Sequence, residues 1–298
     1  MIGVFDSGFG GLTVLEALIE RLPRFDYYYL GDSARAPYGA RSPDVIYEFT
    51  REAVEFLFDA GCPLVILACN TASARALRTL QQRHLPARRP DRRILGVVRP
   101  SAEALAGLPP DAAPGAVATV SARGTVAVLG TTGTIASDSY RLELDKLAPA
   151  LRLIQQACPL WVPLVEEGEL AGAGAEYFLR KYLEPVLAAA PDRILLACTH
   201  YPLLLPAIRA IVEKNAVAGR GTTTPTTATP TEILVQGEIV ASRLAEWMVR
   251  HPEMTARLGQ GGARRFATTD DPRWFAARAA ALLGHAITVE KVHLAARS

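Results

Sequence analysis

Lysine is nearly missing from this 298-residue chain: of 32 basic side chains only Lys146, Lys181, Lys214 and Lys291 are lysines. None of them lies in a glycine turn or at the end of an apolar run, so the sequence offers no evident amine for Schiff-base chemistry on a pyridoxal cofactor. Charge of one sign is also lacking. The 32 basic residues meet 30 acidic ones, for a formal charge of +2, which leaves no field to hold nucleic acid or an acidic membrane surface. No window reaches the 18 or so apolar residues of a membrane span. The opening Met1-Ile2-Gly3-Val4-Phe5-Asp6 has neither the basic region nor the apolar stretch of a secretory signal. Four cysteines are too few for a disulfide framework, and Cys62, Cys69, Cys158 and Cys198 match no zinc spacing. The expectation is a cytoplasmic protein with reduced thiols, no metal, no cofactor, no nucleic-acid partner and no membrane partner.

What the chain does have is core. Half of it is hydrophobic and 21% is charged, which excludes disorder. Its length suits one large domain or two ordinary ones. Short apolar runs recur without alternation, each ending in small or polar residues: Ile2–Phe5, Tyr27–Leu30, Leu64–Ala68, Val126–Leu129 and Ile194–Ala197. Separated by helical periodicity, they read as buried parallel strands of a doubly wound α/β protein. Phe266–Asp270 reads as a last strand and turn. Two stretches read as loops, Ala106–Gly124 and the low-complexity Gly219–Pro230.

One pattern occurs twice. A strand with a polar turn is followed, some sixty residues on, by a strand ending in cysteine: Asp6 precedes Cys69 by 63 positions, and Thr131 precedes Cys198 by 67. Val65-Ile66-Leu67-Ala68-Cys69-Asn70-Thr71 even reads like Ile194-Leu195-Leu196-Ala197-Cys198-Thr199-His200. The expected architecture is therefore two similar doubly wound α/β domains with mainly parallel sheets. Residues 1–97 with 210–298 form one and residues 98–209 the other. Each domain then offers a cysteine at the carboxyl end of a central strand, where open α/β sheets bind ligands.

Free cysteine is usually inert packing, and Cys62 and Cys158, each beside a proline, are read that way. Cys69 and Cys198 stand at strand-to-helix junctions, where unpaired N–H groups and the helix dipole favour a thiolate. A dithiol oxidoreductase would use one Cys-x-x-Cys, and the chain has none. Two bases on opposite faces of one carbon, however, are what stereochemical inversion requires.

Asp6-Ser7-Gly8-Phe9-Gly10-Gly11-Leu12-Thr13, Tyr29-Leu30-Gly31-Asp32 with Pro37-Tyr38-Gly39, Ala68-Cys69-Asn70-Thr71-Ala72, Pro163-Leu164-Val165-Glu166-Glu167-Gly168 and Cys198-Thr199-His200-Tyr201-Pro202 together resemble the glutamate racemases. The tail, Phe266-Ala267-Thr268-Thr269-Asp270 with Leu282-Leu283-Gly284, continues the resemblance in order. It implies a cofactor-independent enzyme, often a homodimer, with the active site in the cleft between its two α/β domains, that interconverts L- and D-glutamate to supply D-glutamate for peptidoglycan. By motif, Cys69 and Cys198 are the acid/base thiols, assisted by Asp6 and His200 respectively, and Glu166 or Glu167 orients His200, with Glu166 favoured. Asp6, Ser7, Tyr38, Gly39, Asn70, Thr71, Thr131, Thr132, Thr134, Thr199 and His200 match substrate-binding positions. Hydroxyl, amide and backbone N–H donors suit such a site, because they hold carboxylates without a competing cation.

The chain departs from the resembled pattern at Leu234-Val235-Gln236-Gly237-Glu238, where Ile-Asp-Ser-Gly-Glu is usual. A carboxylate and a hydroxyl are lost there. Aspartate racemase, of the same two-thiol superfamily, is the nearest alternative. From another class, Gly8-Phe9-Gly10-Gly11 after a strand superficially suggests a phosphate cradle. It has neither the Lys-Ser/Thr of a P-loop nor dinucleotide-binding spacing.

Overall fold

The computed structural model describes residues 1–113, 115–118, 124–218 and 230–294. Within them lie ten strands: β1 (Ile2–Asp6), β2 (Tyr27–Gly31), β3 (Leu64–Leu67), β4 (Arg93–Gly96), β5 (Gly124–Gly130), β6 (Leu151–Ala157), β7 (Arg193–Ala197), β8 (Glu232–Leu234), β9 (Arg264–Thr268) and β10 (Val289–Lys291). The helices that bear on function are α1 (Leu12–Arg21), α2 (Pro43–Asp59), α3 (Asn70–Arg75), α4 (Val98–Leu105), α5 (Thr132–Ile135), α6 (Trp161–Glu166), α7 (Ala173–Leu187), α8 (Leu205–Ala218), α9 (Gln236–Arg250) and α10 (Pro272–Leu283).

The chain forms two compact units, Met1–Ser101 with Gln236–Ser298, and Ala102–Val235. The sequence puts the return to the first unit at residue 210, but the structure puts it at 236. The reason is β8, which pairs in register with β7 through Ile194↔Ile233 and holds the chain in the second unit. The first crossing lies inside α4 rather than at 97/98.

In the first unit all strands are parallel and ordered β10-β9-β2-β1-β3-β4. Strands β1, β2 and β3 are buried at every residue, as parallel strands covered on both faces must be, which is why they appear in sequence as unbroken apolar runs. Helix α2 begins at the Ser42 cap with Pro43 in its first turn, where its missing N–H costs nothing. It buries Ile46, Thr50, Ala53, Val54, Leu57 and Phe58 along one stripe against Phe5, Val65 and Leu67. On α9, Gly237 permits close approach to α1, since a Cβ there would meet Thr13 O at 2.9 Å.

The second unit has a parallel sheet ordered β6-β5-β7-β8. Its first four strands thus repeat the arrangement β2-β1-β3-β4 of the first unit. The α/β class with two similar, mainly parallel sheets holds, and the first unit extends its sheet by β9 and β10. The last strand is β10, not the Phe266–Asp270 segment. Of the loop stretches, residues 114, 119–123 and 219–229 lie outside the described residues. Gly124 opens β5 rather than closing a loop. Among the described residues no helix is long and apolar enough to cross a membrane.

In both sheets the first strand has the second on one side and the third on the other. Connections leave in opposite directions between first and third strands, and that reversal opens a crevice at their carboxyl ends. Asp6 ends β1 there, and Gly11 makes room for it. A Cβ on Gly11 would fall on the Asp6 side chain and lie 2.9 Å from Tyr29 Oη. Gly11→Ala is therefore expected to cost about 1–3 kcal/mol of stability, read from urea unfolding; an unchanged midpoint would show that the turn simply shifts.

Candidate active site

The candidate residues form one cluster in each unit. In the first, Asp6 is fully buried and its Oδ2 accepts from Gly8 N at 3.0 Å. The Tyr29 hydroxyl donates to Gly8 O at 2.8 Å, pinning the turn from beneath. Burial, then the neighbouring Asp6 and Cys69, push the Tyr29 phenol well above its ordinary range, so it stays a neutral donor. Cys69 caps α3: its Sγ accepts from Ala72 N at 3.5 Å and lies 3.6 Å from Ser7 Oγ. Its own N–H reaches Phe5 O at 3.4 Å. Asn70 and Thr71, both buried, open the helix.

Tyr38 is buried, and its hydroxyl donates to Asp32 Oδ2 at 2.5 Å. Asp32, also buried, takes Thr269 Oγ1 at 2.8 Å and Arg35 Nε at 2.7 Å. As donors, Tyr38 and half-buried Gly39 have only backbone left to offer a ligand, because the phenol's proton is committed to Asp32. Burial, then the Asp32 carboxylate, push that phenol upward as well. Asp32 joins this candidate cluster through Tyr38, and reading the sequence for chemistry alone passes over it. Its signal was its place at the end of the apolar run Tyr27–Leu30.

In the second unit, Thr131 caps α5 by accepting from Thr134 N at 3.2 Å, and the two hydroxyls lie 3.1 Å apart. Both are buried, whereas Thr132 is exposed. Cys198 lies one register step beyond the paired Gly130↔Ala197. Its Sγ is 3.9 Å from His200 Nδ1, and Thr199 and His200 are buried. The expected helix N-terminus is not there: a turn and a 3₁₀ segment, Tyr201–Leu204, intervene before α8. The second thiol therefore has an imidazole beside it where the first has a helix N–H and a serine hydroxyl.

Glu166, the last residue of α6, brings Oε1 to 3.5 Å from His200 Nε2, while Glu167 is exposed. Tyr201, the next residue in the chain, joins an aromatic pair. Tyr201 packs edge-on to Trp161 at 4.9 Å, and its hydroxyl donates to Cys158 O at 2.9 Å. Sequence alone could not give this contact of Trp161 with Tyr201, since it joins segments forty residues apart. Among the described residues no cluster of three His, Cys, Asp or Glu side chains could hold a metal ion.

The chain matches the family model described as Asp/Glu/hydantoin racemase over residues 2–220. The chain belongs to that family. It is 39% identical to a glutamate racemase of Ruegeria pomeroyi over 96% of this chain and 98% of that protein. Among solved structures it resembles the glutamate racemase isoform RacE1 of Bacillus anthracis (31% identity, TM-score 0.82, 100% of this chain and 98% of that one). It also resembles the glutamate racemase of Francisella tularensis in complex with D-glutamate (27% identity, TM-score 0.80, 99% and 98%).

All four cysteines are free thiols. Burial pushes Cys62 up to about 11 and Cys158 higher still, the latter raised further by nearby Cys198; both are held neutral. For Cys62 the native pKa exceeds the unfolded value of 9.0. Its contribution to stability is therefore complete below pH 9 and lost as pH rises to about 11. Going from pH 8 to pH 11, Cys62→Ala should gain about 2 kcal/mol relative to wild type, measured by urea unfolding at both pH values. A constant difference would mean that Cys62 is not held neutral.

Proposed function

We propose that this protein interconverts L- and D-glutamate without a cofactor, by proton transfer at the α-carbon between two thiols. One observation carries the reading: in each of two units with the same strand order, a buried cysteine follows the third strand at the reversal point. The family membership and the names of the relatives supply the reaction and the substrate.

In this reading Cys69 as thiolate removes the α-proton from one enantiomer, leaving the electron pair on carbon and delocalised into the carboxylate. The Cys198 thiol delivers a proton to the opposite face; the reverse reaction exchanges the two roles. By analogy Cys69 acts on D-glutamate and Cys198 on L-glutamate. Asp6 assists Cys69. His200, oriented by Glu166, shares the Cys198 proton, a task suited to an imidazole near neutrality. Ser7, Asn70, Thr71, Thr131, Thr132, Thr134 and Thr199 hold the substrate with hydroxyl, amide and backbone donors, and Tyr38 and Gly39 contribute backbone. None of these binding residues carries a fixed positive charge, which leaves the substrate ammonium to stabilise the carbanion. The product serves peptidoglycan synthesis, and the working protein is a cytoplasmic homodimer.

Proton NMR with L-glutamate in D2O and no added cofactor, followed by chiral analysis, tests the reaction. Loss of the α-proton signal with appearance of D-glutamate is expected. Neither change, from folded protein with reduced thiols, would turn attention to aspartate, and then to a thermal shift with ATP or NAD. Cys69→Ser and Cys198→Ser should each lower racemisation by about 10²-fold or more. The first should retain exchange of L-glutamate only and the second of D-glutamate only; near wild-type rates in both would refute the two-thiol mechanism.

The two adjacent glutamates separate cleanly. Glu166→Gln should slow proton transfer on the Cys198 side by about tenfold and alter its pH profile, whereas Glu167→Gln should leave rates unchanged. Equal effects would remove Glu166 from its role.

A further inference from the structure

Gln236 stands in the stretch where the sequence departs from the resembled pattern, and the fold makes it the end of a polar relay. Asn70 Nδ2 donates to Gln236 Oε1 at 2.5 Å, and Asn70 Oδ1 accepts from Gln236 Nε2 at 3.1 Å. The same Nε2 donates to Ser101 Oγ at 2.7 Å. Ser101 in turn donates its proton to Val97 O at 2.7 Å. All three side chains are buried. Val97 is itself tied back to β3, because its N–H reaches Ser73 Oγ at 3.3 Å and Ser73 donates to Leu67 O at 2.8 Å.

The direction of this relay is fixed at one end. A backbone carbonyl can only accept, so the Ser101 hydroxyl spends its proton on Val97 and must accept at its other contact. Gln236 therefore presents Nε2, not Oε1, to Ser101. The Gln236 amide then has only one way to face Asn70: its oxygen meets the Asn70 NH2 and its second N–H meets the Asn70 carbonyl. An isolated amide pair could flip both partners together at little cost; Ser101 removes that freedom. Asn70 directly follows Cys69 and lies in the first turn of the helix that Cys69 caps.

We propose that Gln236 is a positioning residue, which with Ser101 sets the orientation of the Asn70 carboxamide for the substrate. This rests on the reading above that Asn70 holds glutamate.

Gln236→Met keeps side-chain length and volume, so the fold should persist while the pairing is lost. For glutamate racemisation KM should rise about tenfold, the cost of leaving a buried amide unpaired or misoriented, with kcat within about threefold of wild type. Ser101→Ala should raise KM in the same direction but less. Gln236→Met combined with Asn70→Ala should be no worse than Asn70→Ala alone, since Gln236 acts through Asn70. A second readout needs no turnover: one Asn70 side-chain amide proton, assigned by its absence in Asn70→Ala, should exchange slowly in the wild type and fast in Gln236→Met.

An unchanged KM in an active Gln236→Met variant, even with lowered thermal stability, would leave Gln236 a structural residue only. Additive effects in the double variant would mean that it does not act through Asn70. Either result overturns the proposal, as do unaltered amide exchange rates. Should the wild type fail to racemise glutamate, the functional reading falls, and amide exchange alone decides whether Gln236 orients Asn70.

Discussion

Parallel pairing around a reversal of strand order is the constraint on which the rest depends. A parallel strand cannot be reached by a tight turn, so each connection crosses over the sheet and returns. Where successive crossovers leave on opposite sides, the sheet presents an uncovered edge of backbone N–H groups and turn residues. Both units reverse between their first and third strands. Asp6 and Cys69 emerge at that point in one unit, and Thr131 and Cys198 in the other. Register fixes the placement: Phe5↔Leu67 puts Asp6 and Cys69 just beyond the last paired residues of neighbouring strands, and Gly130↔Ala197 does the same for Thr131 and Cys198.

Burial at that edge then determines the polar chemistry. A buried donor or acceptor left without a partner costs about 1–3 kcal/mol. The residues placed here form linked sets: Asp6 with the Gly8 turn and Tyr29, Tyr38 with Asp32 and Arg35, Asn70 with Gln236 and Ser101. Such sets hold each of these side chains in one orientation. The four cysteines show a contrast of their own. Cys62 and Cys158 sit in surroundings that hold their thiols neutral, so they are packing. Cys69 and Cys198 have specific polar neighbours, a serine with a helix N–H for one and an imidazole for the other.

The strands legible in the sequence share one property. Runs at Ile2–Phe5, Tyr27–Leu30, Leu64–Ala68, Val126–Leu129 and Ile194–Ala197, and the strand and turn at Phe266–Asp270, correspond to β1, β2, β3, β5, β7 and β9, all interior to their sheets. The four without a clear signal, β4, β6, β8 and β10, are the edges. Hydrophobic patterning reports burial. An edge strand is half-exposed, as β6, β8 and β10 are along most of their length, and it carries mixed residues that do not stand out from loop. Missing β8 moved the expected domain crossing from 235/236 to 209/210.

The sequence by itself determined the α/β class, its two like sheets and the candidate site residues at the strand ends, because interior strands must be apolar and polar turn residues must follow them. It did not determine which groups support those residues. Gln236 is 166 positions from Asn70, Thr269 is 237 from Asp32, and Glu166 and Glu167 are neighbours in sequence with different surroundings. Those choices depend on where separate segments are brought together by packing, and on the direction each side chain takes from its helix or turn. No local pattern encodes either one, so the tertiary structure alone decided them.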